Sequence, residues 1–234
     1  MSHVYASGDS YSFDQFKKEL SSPFTQEEAR PYLYSGLGLT SLLIIFRDGV
    51  VEPLQDQISE DEPLGDSAKY GDYLGQCIPN ALYMGGMYLH GKWSNSTASL
   101  DRSTLMLKTS FYAGMATTVL KRIVNQKRPH GADKLSFPSG HTTTAFAFAS
   151  VVAMEHEWYW GAGAYALASF VGYSRMNDNE HYLHDVVMGA TIGTVFGVAL
   201  HHQAKQTKEN SNLSFQAIPL DDQGVYLGLK YRFH

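Results

Sequence analysis

One cysteine stands in 234 residues. Cys77 has no partner for an internal disulfide, a cysteine-based zinc cluster is excluded, and the sequence favours a buried, inert thiol. Positive charge is also scarce. Eighteen Lys and Arg face 23 Asp and Glu, a formal charge of −5, which argues against broad nucleic-acid binding, since that needs a basic face. Long apolar runs are missing too. The uncharged stretches 74–89, 158–174 and 186–200 fall short of the roughly 20 apolar residues of a spanning helix. They also carry Gly, Pro, Gln, Asn and Thr, and the mean hydropathy is −0.24. Hydropathy therefore favours a soluble bundle with very apolar helices. Residues 1–12 are polar, with neither the basic start nor the apolar centre of a secretory signal. No internal repeat is found.

What is present is a run of helices. Phe13, Phe16 and Leu20 suggest a short amphipathic helix. Thr25-x-x-Glu28 reads as a capping box for a helix reaching Ile44 and Phe46, with Pro31 in its first turns and Arg47-Asp48-Gly49 at its end. The acidic stretch 51–70 reads as a surface loop. Helices are then expected over 71–91, 102–125, 140–155, 157–175 and 184–203. Gly189, Gly193 and Gly197 share one helix face, as do Ala145 and Ala149; both sets suit close helix contact in a core. The polar stretch 205–212 reads as a linker. Alternation of Val225, Leu227, Leu229, Tyr231 and Phe233 with Tyr226, Gly228, Lys230 and Arg232, after Asp221-Asp222-Gln223-Gly224, signals a β-hairpin. The expected class is mainly α: a single helical bundle of about six or more helices, with a C-terminal β-hairpin. The expected division is a helical domain over 1–204 and a linker with hairpin over 205–234.

Three clusters carry chemistry. Lys121 and Arg128 lie in LKRIVNQKRPH, and seven residues apart they would share one face of a helix. Pro138-Ser139-Gly140-His141 looks like a helix start, where Ser139 caps, Gly140 lets backbone approach a ligand, and free N–H groups favour an anion. Ser174-Arg175 precedes His181 and Asp185. Four residues apart on a helix, Asp185 would hold one imidazole nitrogen of His181 and leave the other outward, as a histidine nucleophile requires. Lys121, Arg128 and Arg175 sit among apolar helices, where buried cations need an anion, and phosphate suits a guanidinium fork. The ordinary reading of each cation is a solvated side chain or an ion pair, and of each His a core or cap residue. A zinc reading of His181, His184 and Asp185 with His141 would leave the cations repelling the metal.

Together these clusters resemble the type 2 phosphatidic acid phosphatase (PAP2) superfamily, which includes bacterial class A acid phosphatases and vanadium haloperoxidases. The pattern K-x6-RP, PSGH, SR-x5-H-x3-D is met at every defined position, within about residues 115–200. The resemblance implies that Lys121, Arg128, Ser139, Gly140 and Arg175 hold the phosphoryl oxygens. It implies His181 as nucleophile, Asp185 as its orienting carboxylate, and His141 as proton donor to the leaving oxygen. No metal or cofactor is then expected. Between Arg175 and His181 the chain departs from relatives by placing two acids, Asp178 and Glu180, which could raise the His181 pKa or repel highly anionic substrates. The implied activity is hydrolysis of phosphomonoesters or pyrophosphates, lipid or soluble, in a bacterial periplasm or envelope, with an integral membrane protein as the alternative. Partners would be a phosphorylated small molecule or lipid phosphate, with no nucleic acid. Association with a membrane surface and the oligomeric state stay open. The rival functions are a vanadate-dependent haloperoxidase, disfavoured by the eight residues between Pro129 and Pro138, and a non-catalytic phosphate or lipid head-group binder.

Overall fold

Small polar residues and prolines set where the helices begin. The computed structural model describes residues 12–220 and 224–231, from 210 onward by backbone alone. Its helices are α1 (Phe13–Leu20), α2 (Ser22–Thr25), α3 (Arg30–Ile45), α4 (Glu52–Asp61), α5 (Ala68–Gly75), α6 (Ile78–Ser94), α7 (Thr97–Val124), α8 (Gly140–Glu155), α9 (Trp158–Asn177) and α10 (Leu183–Asn212). Ser12, Ser96 and Ser139 cap α1, α7 and α8, each accepting the backbone N–H three residues on. Pro31, Pro53 and Pro79 occupy the first turns of α3, α4 and α6, where a missing N–H costs nothing.

The centre of the bundle is α10, which packs on α8, α7 and α3, while α8 also packs on α9. Met188, Ile192, Val195 and Phe196 of α10 meet Leu105, Met106 and Tyr112 of α7 and Ala147 and Val151 of α8 in one buried cluster. Burying a side chain of this size contributes roughly 1.5–3 kcal/mol. The expected glycine face is real and tight. A Cβ on Gly189 would stand 2.5 Å from the Ser139 carbonyl oxygen, and one on Gly193 2.4 Å from that of Thr143. Only a residue without a side chain lets α10 approach the α8 backbone this closely. Ala145 and Ala149 pack against Ala164, Ala168 and Val171 of α9.

Several expectations are corrected. Thr25 closes α2 instead of capping the next helix, which starts at Arg30 because Pro31 fixes its first turn. Arg47–Val51 is a π-helical turn leading into α4, so much of the expected loop 51–70 is helical. Its acids face solvent, while Gln55 is buried against α9. The helix expected over 71–91 breaks at Cys77, in the left-handed region (φ 65°) just before Pro79. The presumed linker 205–212 continues α10, consistent with the helix propensity of its Lys, Gln and Glu. The hairpin stays a proposal. Backbone pairing runs antiparallel between Leu213–Leu220 and Gly224–Tyr231, but their side chains lie outside the described residues.

By length and composition α10 could cross a membrane over Leu183–Glu209, and 78% of its apolar window is buried inside the bundle. Other apolar surface lies outside. Leu39, Leu42 and Ile45 of α3, Leu82 and Leu89 of α6, and Phe111 and Ile123 of α7 are all exposed. Trp93 and Trp158 are more exposed still, and Trp160 is exposed too, at the ends of α6 and α9 remote from Cys77 and Arg175.

Candidate active site

The ends of α7 and α9 and the starts of α8 and α10 meet at one end of the bundle. A hydrogen bond from Ser139 N to the Asp185 carbonyl (3.0 Å) ties the two helix starts together. Here a cavity of about 420 Å³ is lined by Lys121, Arg128, Gly140, His141 and His181, with Cys77, Thr117 and Thr144 at its wall. Cys77 is thus exposed at the cavity, not buried as the sequence suggested. Its unusual backbone turn, which the sequence did not signal, carries it there. A larger cavity, about 770 Å³, lies at the other end beside Lys108, Glu155 and His201; none of the three clusters reaches it.

Lys121 and Arg128 do not share a helix. The α7 helix stops at Val124 because Asn125 turns left-handed (φ 51°) and caps back to the Lys121 carbonyl. Arg128 stands in the following loop, yet both cations reach the cavity. Lys121 Nζ donates to the Leu135 carbonyl (2.5 Å), and burial together with nearby Arg128 pulls its pKa down to about 8. Arg128 pairs through Nε with Asp133 (2.9 Å) and through Nη1 with Glu180.

Nor do His181 and Asp185 lie on one helix. His181 precedes α10, and Asp185 sits in its first turn. Asp185 accepts from Ser136 Oγ (2.5 Å) and from Tyr182 N (2.9 Å), a capping bond that folds the chain back. This brings Asp185 Oδ2 to 3.6 Å from His181 Nδ1, longer than a hydrogen bond. Nδ1 faces the carboxylate, so Nε2 is the nitrogen left for the cavity. Burial drives the His181 pKa down to about 4, against the opposing pull of Asp185. The imidazole is therefore neutral near pH 7, with a lone pair to offer. His184, the other histidine of the zinc reading, is buried, with Nε2 2.8 Å from Gln126 Nε2 and 3.2 Å from Asp185 Oδ1. No chelating group of three His, Cys, Asp or Glu occurs among the described residues.

Ser139 and Arg175 lie behind the cavity wall. Ser139 Oγ caps α8 and bonds Thr142 Oγ1 (2.9 Å). Arg175 is 4% exposed, with Nη1 on Asp72 (2.7 Å) and Nη2 on Asp178. Its Nε is buried without an acceptor. His141 Nε2 stands 3.2 Å from the same Asp72 oxygen, though not in hydrogen-bond geometry. Burial, then Arg175, lowers the His141 pKa, and Asp72 works against both.

Asp72 is the residue that sequence reasoning missed. It lies on α5, whose Gly75 packs on His141 so tightly that an added Cβ would stand 2.6 Å from both the His141 Cβ and its ring carbon Cδ2. It is 103 residues from Arg175, and no local pattern joins them. Gln55 was missed likewise. Its Nε2 donates to the Met176 carbonyl (2.8 Å) and to Asn179 Oδ1 (3.0 Å), and Leu64 N donates to Asn177 Oδ1 (2.9 Å). These bonds pin the backbone between Arg175 and His181.

Residues 103–209 match the PAP2 superfamily. That match spans all three motif clusters. Within curated proteins, the chain is 46% identical over 74 residues to a lipid A 1-phosphatase of Porphyromonas gingivalis, covering 30% of this chain and 16% of that protein. It is 31% identical over 106 residues to a lipid A 1-phosphatase of Rhizobium johnstonii, covering 38% and 43%. The chain thus spans less than half the length of these relatives. Among solved structures, Aquifex aeolicus LpxE is similar with a TM-score of 0.55 at 22% identity, over 65% of this chain and 94% of that one. At that identity the likeness concerns the fold alone.

Proposed function

We propose that this protein is a phosphatase of lipid phosphates that works through a phosphohistidine on His181. The observation that carries the reading is the single cavity where Lys121, Arg128, His141 and a neutral, carboxylate-backed His181 converge. A phosphoryl group seated there meets two cations and the start of α8. His181 Nε2 attacks phosphorus, and the bond to the leaving oxygen breaks. His141 gives that oxygen its proton, then takes one from the water that cleaves the P–N bond and releases phosphate. Asp185 steadies the imidazolium of His181. Asp72 does the same for His141, whose partly buried ring needs a negative neighbour, or the substrate's own charge, to hold a proton. Ser139 organises the α8 start through its cap, and Arg175 backs the site from behind.

The exposed apolar residues of α3, α6 and α7 support action at a lipid surface, since exposed apolar surface can mark a membrane contact. The names of the curated relatives make lipid A 1-phosphate the first substrate to try. The test is phosphate release from a lipid monophosphate and from p-nitrophenyl phosphate in excess chelator. Wild type should turn over the lipid, and His181→Ala should lose roughly a thousandfold or more of kcat. Near wild-type turnover by the variant removes His181 from the reaction.

A further inference from the structure

Every guanidinium of the site already holds a carboxylate. Glu180 pairs with Arg128 and approaches His130 (3.3 Å), while Asp178 and Asp72 both hold Arg175. Two of these acids belong to the five-residue stretch between Arg175 and His181. Both side chains are about one-third exposed. Their backbone is fixed by Gln55 and by the bond from Leu64 N to Asn177, and Glu180 N and His181 N both donate to the Arg175 carbonyl. So the carboxylates can rotate away while the chain that carries His181 stays in place.

Resting on the phosphatase reading above, we propose that Glu180 and Asp178 are specificity-determining residues: Glu180 is an internal anion that occupies Arg128 until a phosphoryl group displaces it, and Asp178, on Arg175 behind the cavity wall, adds negative charge beside that site. A carboxylate offers the guanidinium fork two oxygens in the arrangement that phosphate would use. An incoming phosphate must therefore break an existing ion pair, and it then shares the pocket with the displaced charge. Free phosphate has nothing else to bind with. A substrate with a large apolar or sugar body brings contacts beyond the phosphoryl group and can offset that cost. The device discriminates against small phosphate esters and weakens retention of the phosphate product.

Titration of inorganic phosphate into the full-length protein by calorimetry tests this without any turnover. Wild type should bind weakly, and Glu180→Gln should bind phosphate about tenfold tighter or more, in line with the usual size of close charge-pair effects. Asp178→Asn should shift affinity in the same direction, which keeps the test open should Glu180→Gln fail to fold. Asp56→Asn, which removes the same charge from the exposed face of α4, should bind as wild type does. If Glu180→Gln and Asp178→Asn bind phosphate no better than wild type while Arg128→Gln binds worse, the internal-anion proposal falls and the phosphate site stands. If Arg128→Gln binds as wild type does, the phosphate-site reading falls with it.

Discussion

Residues 97–212 and residues 12–94 contribute to one site by different means. The first region carries His181 and His141, proposed here as nucleophile and proton donor, and the cations, at or just beyond two helix starts and two helix ends around a buried core. The second supplies support. Asp72 on α5 holds Arg175 and faces His141, and Gln55 on α4 pins the loop before His181. The second region also carries much of the exposed apolar surface, on α3 and α6. On the proposed function, chemistry is concentrated where side chains are pinned by buried bonds, while the N-terminal helices orient that chemistry and would offer a surface to lipid.

That division can be broken experimentally. Asp72→Asn should lower kcat about tenfold to a hundredfold, as loss of a general acid's support would. The ionisation of His141 should also move to lower pH, because Asp72 is a charge that raises its pKa. A pH–rate profile separates this from a merely structural defect, which would leave the limb in place.

Stability should depend on pH through the motif half. The folded His181 takes up a proton only near pH 4, whereas the unfolded side chain does so near 6.5. Between those values the unfolded chain binds more protons, so stability falls as pH drops. The loss from pH 7 to pH 5 should be about 2 kcal/mol from this residue. Denaturant unfolding of wild type at the two pH values measures the fall, and His181→Asn should flatten it.

Gln55→Ala should cost about 1–2 kcal/mol by removing the buried bonds from Gln55 Nε2 to the Met176 carbonyl and to Asn179 Oδ1, and should lower kcat by loosening the loop. Thermal melts beside steady-state rates report both. The smallest effect is expected at the remote end, where replacing Trp158 and Trp160 by Ala should weaken vesicle binding a few-fold and leave hydrolysis of p-nitrophenyl phosphate unchanged. Vesicle sedimentation beside a soluble-substrate assay checks that separation.

Much of the motif half was legible because its partners are close in sequence or fixed by spacing. The Pro-Ser-Gly-His helix start, the glycine face of α10 and the convergence of Lys121, Arg128, His141 and His181 could all be read that way. The details of backbone were not. Asn125 ends α7 before Arg128, and His181 meets Asp185 through a capping turn instead of a helical one. Asp72, Gln55 and the exposure of Cys77 depend on contacts across the bundle, which leave no local periodicity to read. Mean hydropathy does not reveal the exposed apolar residues of α3 and α6, since it averages them with the polar segments around them.

The most direct test is to quench the enzyme during turnover of a lipid monophosphate carrying a labelled phosphoryl group, and to map the protein-bound label. The account predicts an acid-labile, base-stable label on His181, absent from His181→Ala. Turnover that proceeds with no labelled protein, or with the label on another residue, would contradict it.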